Sequence, residues 1–156
     1  MKHIAMLLAC ICLIVMMLTG CAKSAPAPLE EPVSLVSFTF MARGMTTADI
    51  YSYSAEKTGE GTHLHLELNC GYDVIDVAVQ EDVLGELGAI AAKYRLDTWD
   101  GFDKSKKNVS DGEGFTLSMT TADGRDIYAH GSNAFPDNYS DARGAIDELF
   151  QKYIQG

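Results

Sequence analysis

Apolar and polar side chains alternate three times in the first half of the chain. Val36, Phe38 and Phe40 interleave with Ser37 and Thr39, Tyr51, Tyr53 and Ala55 with Ser52 and Ser54, and Leu64, Leu66 and Leu68 with His65 and Glu67. A period of two sends successive side chains to opposite faces of a strand, so each segment predicts a strand with one buried face. Gly44 with Thr46-Thr47, and Lys57-Thr58-Gly59-Glu60-Gly61, supply turn residues between them, which makes a meander the simplest path. Residues 72–79 fit either a short extension or a fourth strand. From Glu81 the period lengthens: Val83, Leu84, Leu87, Ile90, Ala91 and Tyr94 recur at helical spacing, with Glu81, Glu86 and Lys93 on the other face. This helix is expected to stop near Leu96, before a long loop that contains Lys104, Lys106 and Lys107.

Alternation returns at Phe115, Leu117 and Met119, with Ile127 and Ala129 as the partner strand. A two-residue Asp123-Gly124 loop would set Met119 opposite Tyr128 and mix polar residues into the apolar face. A three-residue loop, Ala122 to Gly124 with Gly124 left-handed in a bulge, instead pairs Met119 with Ile127 and Leu117 with Ala129, and is the predicted register. Ala142, Ile146, Leu149, Phe150 and Tyr153 then mark a final helix, with Asn138 or Ser140 as N-cap and Asp141 in its first turn. The expected fold is α+β: an antiparallel sheet of about five strands in the order meander, helix, hairpin, helix, with both helices packed on one face.

The first twenty residues read differently. Met1-Lys2-His3, an apolar run from Ile4 to Leu18, and Thr19-Gly20 have the basic, apolar and small-residue order of a secretory signal. The run of about fifteen residues is shorter than the roughly 20 that span a bilayer core. Leu18-Thr19-Gly20-Cys21 resembles the lipobox of bacterial lipoproteins, a resemblance that implies diacylglyceryl attachment to Cys21, cleavage before it, and a protein lipid-anchored at the extracytoplasmic face of the cell membrane. A second acyl chain suits such an anchor, because each buried methylene contributes only about 0.8 kcal/mol and one chain binds reversibly. Residues 21–32 are small, polar and proline-rich and read as a flexible tether, which leaves 33–156 as one domain.

Charge narrows the partners. The chain has a formal charge of −10, and −11 once Lys2 leaves with the signal. Such a surface repels phosphate backbones, so nucleic acid is excluded as an expected partner; a protein, peptide or cell-wall component remains. With Cys10 and Cys12 in the signal and Cys21 lipidated, Cys70 is left alone in the domain, where a partly buried strand-end residue is expected.

Three loops, Trp99-Asp100-Gly101-Phe102-Asp103-Lys104-Ser105, Asp111-Gly112-Glu113-Gly114-Phe115 and Gly131-Ser132-Asn133-Ala134-Phe135-Pro136-Asp137-Asn138-Tyr139, resemble a group of uncharacterised proteins of gut Firmicutes and Actinobacteria, many of them lipoproteins. The resemblance covers roughly Phe38 to Tyr153. It implies the same address and an α+β domain, and no site.

The candidate chemistry is sparse. His63, His65 and Glu67 share a strand face and have zinc-ligand types, but same-face neighbours lie about 6–7 Å apart, awkward for three ligands on one ion, so a polar strand face is the preferred reading. Asp100, Asp103, Asp111 and Glu113 suit calcium by type but lack EF-hand spacing. There is no Gly-x-Ser-x-Gly elbow, no His-Glu-x-x-His and no phosphate-cradling loop, and His130 with Ser132 is the only nearby pair of nucleophilic type. No catalytic residue, metal site or cofactor is therefore predicted. The candidate ligand surface is the aromatic and amide loop set Trp99, Asp100, Phe102, Asp111, Asn133, Phe135, Asn138 and Tyr139, with a core role for the aromatics, Trp99 above all, as the preferred alternative. The expected function is a non-catalytic, membrane-anchored binding module; the rival is a small hydrolase or a calcium- or zinc-dependent protein.

Overall fold

The computed structural model describes residues 28–29, 32–107 and 112–155. The signal, Cys21, most of the tether and Asp111 lie outside the described residues.

The meander has four strands. β1 (Leu35–Arg43), β2 (Tyr51–Thr58), β3 (Gly61–Leu68) and β4 (Asp73–Val79) follow one another, each antiparallel to the next. Helix α1 (Val83–Lys93) comes next, then β5 (Phe102–Ser105), β6 (Gly114–Thr121), β7 (Asp126–Ser132) and helix α2 (Tyr139–Ile154). The seven strands form one sheet in the order β4-β3-β2-β1-β6-β7-β5. Among the described residues no helix is long and apolar enough to cross a membrane.

The hairpin register agrees with the sequence reading: Met119 pairs with Ile127 and Leu117 with Ala129, around Gly124 at φ 86°. Two expectations are corrected. The sheet has seven strands rather than about five, and it is mixed rather than purely antiparallel, because β5, read as loop, runs parallel to β7. β5 has four residues and one aromatic, too short for a period-two signature, and its partner begins more than twenty residues away. β4 carries no clean period-two signature, because its apolar residues face both sides of the sheet instead of alternating with polar ones. A further difference is at the start of β1, where a bulge between Leu35 and Ser37 turns Leu35, not Val36, into the core.

Both helices cover the same sheet face. Phe38, Phe40, Leu64, Leu66, Leu117 and Ile127 are buried beneath Leu87 and Ala91 of α1 and Ile146 and Phe150 of α2, while polar side chains such as Thr39, Ser54, His63 and His65 lie on the opposite face. Asp82 caps α1 by accepting from Gly85 N at 3.0 Å. The helix ends where Arg95 turns left-handed at φ 52°. The following turn, Leu96–Trp99, folds back over the core, so Trp99 is only 1% exposed. Gly88 lets the strap around Val33 cross α1, since a Cβ there would lie 2.1 Å from the Val33 carbonyl oxygen.

Candidate functional site

The predicted loop set separates into a core and a rim. Trp99 meets Phe115 edge-on, with centroids 5.7 Å apart at 70°, and Tyr139 at 5.9 Å. Phe102 lies 6.1 Å from Phe115. Phe135 stacks on Tyr139 at 4.5 Å and, at 37% exposure, is the most exposed aromatic of the set. Asp100 accepts from Tyr128 N at 3.2 Å, which anchors the loop to β7. Asn133 and Asn138 adopt left-handed backbone at φ 53° and 64°, and Asn138 precedes α2 without a side-chain cap bond. These residues close the end of the core; their polar members shape turns. Trp99 Nε1 and Tyr139 Oη are both buried without a hydrogen-bond partner among the described residues.

The described loop acids do not converge either. Asp103 faces His130 at 3.3 Å across the β5–β7 pair, and Glu113 lies 3.8 Å from Arg143. Among the described residues no group of three or more His, Cys, Asp or Glu side chains is placed to hold a metal ion. Cys70 is exposed, not partly buried as expected, because the chain leaves β3 through left-handed Asn69 and Cys70 instead of continuing the strand.

Two side-chain networks were not legible in the sequence. On the outer face, Asp76 of β4 bridges the histidines of β3: Oδ1 lies 2.8 Å from His63 Nε2 and Oδ2 2.8 Å from His65 Nδ1, while His65 Nε2 lies 3.3 Å from Glu67. The hydrogen bond to Asp76, helped by Glu67, raises the His65 pKa; His65 and then His63 hold Asp76 below the usual carboxylate range. Between β2 and α2, Tyr51 donates to Asp147 at 2.7 Å and Arg143 Nε donates to Tyr51 Oη at 3.0 Å. Burial raises the pKa values of Tyr51 and Asp147 and pushes that of Tyr139 up to about 12, on which Arg143 acts as a neighbouring charge without hydrogen-bond geometry. The adjoining hollow of about 270 Å³ also presents Asp49, so carboxylates offset its guanidinium. This network ties β2 to α2, and its guanidinium is outweighed by the carboxylates of Asp49 and Asp147. A larger hollow, about 850 Å³, lies between α1, the β2–β3 turn and the strap at Val33. No predicted site residue lines it.

The sheet edges are unequal. β5 is short and carries Lys104, features that discourage further pairing, whereas the charges on β4 are Asp73 and Asp76. β4 is seven residues long, Asp73-Val74-Ile75-Asp76-Val77-Ala78-Val79, with no lysine, no proline and no register shift against β3. Among the described residues nothing pairs with its other side. Val74 and Val77 are 53% and 38% exposed, and Tyr72, just before the strand, is 84% exposed. The run of β-branched residues without a lysine is legible in the sequence; its place at an edge of the sheet is not. Comparisons of the chain with protein-family models, with curated proteins and with solved structures gave no match.

Proposed function

We propose that this chain is an extracytoplasmic lipoprotein, held at the membrane by lipid on Cys21, whose domain binds an extended protein or peptide segment as an added strand on β4, without catalysis. The open β4 edge is the observation that supports the reading. Sheets ordinarily blunt their edges with short strands, lysine or proline, as β5 does here, and an unblunted edge is a template for another backbone. Pairing requires a polypeptide, which favours protein or peptide over glycan among the expected partners. Main-chain bonds alone give modest affinity: about seven bonds at roughly 0.5–1.5 kcal/mol each are offset by about 1–2 kcal/mol per residue ordered. Side chains must therefore supply the remainder, and exposed Val74, Val77 and Tyr72 are the apolar surface available for it.

The test is an eight-residue peptide of four Val-Thr repeats and the same peptide N-methylated at alternate positions, each titrated against the full chain in neutral detergent. The unmethylated peptide is expected to bind and to shift the amide signals of residues 73–79. Methylation, or Val77→Lys in the protein, is expected to abolish both effects. Equal binding of the two peptides, or shifts confined to another surface, would overturn strand addition.

A further inference from the structure

Resting on the strand-addition reading, we infer that the segment β4 accepts is amphipathic and basic, with apolar side chains beside Ile75 and Val77 and Lys or Arg on the intervening positions beside Asp76. Register carries the argument. The pairing of Leu66 with Ile75 and Leu64 with Val77 puts Ile75 and Val77 on the helix-covered face, and the pairing of His65 with Asp76 puts Asp76 on the outer face. An added strand continues both faces, because its side chains alternate as those of β4 do. On the inner face it meets Ile75, which packs against the core, and Val77, whose exposed area it would cover.

On the outer face it meets an acidic corner. Glu56 of β2, Glu67 of β3 and Asp76 of β4 all point outward there, and no Lys or Arg occupies an outer-face position of these three strands. The Asp76 side chain is 56% exposed. Each of its oxygens has one histidine partner, and a carboxylate accepts about four hydrogen bonds, so capacity remains for a donor on the edge side. The histidines keep Asp76 ionised near neutral pH, and the −10 charge of the whole chain adds to the field felt by an approaching cation. A second copy is the poorer occupant. Antiparallel pairing of two β4 strands centred on Asp76 sets the two Asp76 carboxylates directly opposite each other, an unfavourable like-charge pair.

The experiment compares dye-labelled eight-residue peptides of four Val-Lys, Val-Thr or Val-Glu repeats, titrated by fluorescence anisotropy against the full chain in neutral detergent at low salt. The Val-Lys peptide is expected to bind about tenfold tighter than the Val-Glu peptide, with Val-Thr between them. Asp76→Asn should narrow that ratio to about threefold, the Lys-to-Glu ratio being the readout because any general weakening of the edge lowers all three affinities together, and added salt should narrow it too. Binding of Val-Thr with no Lys-over-Glu preference, or a preference that Asp76→Asn leaves intact, would overturn the basic-segment inference and spare strand addition. Failure of all three peptides would overturn both. A dimer of the full chain that Val77→Lys dissociates would assign the edge to a second copy and overturn the inference.

Discussion

Truncating Trp99 to alanine tests whether the loop cluster is core or ligand surface. The indole is 1% exposed and has Phe115 edge-on and Tyr139 beside it. Deleting a buried aromatic side chain costs about 3–5 kcal/mol. One contribution opposes this, since Nε1 has no partner among the described residues, and a buried unsatisfied donor burdens the folded state by about 1–3 kcal/mol that truncation removes. The net expectation is about 2 kcal/mol, which at a urea slope of about 1.5 kcal/mol/M lowers the midpoint by about 1.3 M. Trp99 is the sole tryptophan, so the variant loses its intrinsic tryptophan emission and unfolding must be followed by far-UV circular dichroism. Trp99→Phe keeps a ring against Phe115 and removes the orphan donor; its midpoint is expected to stay much closer to the parent. A Trp99→Ala midpoint within about 0.5 M of the parent would refute the core assignment, because a ring lining an open site costs about 1 kcal/mol or less to remove.

Cys21→Ser is expected to abolish labelling by a fatty-acid probe and membrane retention while leaving the circular dichroism spectrum unchanged; equal labelling of the variant would refute the lipid anchor. The His65–Asp76 corner makes a pH prediction. His65 is raised, so its contribution is complete below the unfolded value of about 6.5 and is lost as pH rises through the folded pKa. Asp76 is lowered, so its contribution is present above about 3.9 and is lost as pH falls through the folded pKa. The pair therefore stabilises β4 most between about pH 4 and 6.5, modestly because both groups are solvated. The urea-midpoint difference between parent and Asp76→Asn should be larger near pH 5.5 than near pH 8, and an equal difference would remove the pair from the stability of this edge.

What was legible in the sequence is what depends on neighbours. The alternation of Phe38 with Phe40 or of Leu64 with Leu66, the helical spacing of Leu87 with Ala91, and Gly124 as a left-handed residue all follow from local geometry, and each element appears where expected. Trp99 could be placed over the core because the apolar face of α1 runs out just before it. Decisions between residues distant in the chain belong to tertiary structure alone. β5 is a strand only because β7 lies beside it, and Arg143 reaches Tyr51 across 92 positions. Asp76, eleven positions from His65, is bound to it only because β4 completes the meander in one register. Edge status has no local signature either, for it depends on which strands pair with which. The sequence contains an unblunted Val-Ile-Asp-Val-Ala-Val run, and only the order of the sheet leaves that run at the rim with one side unpaired among the described residues.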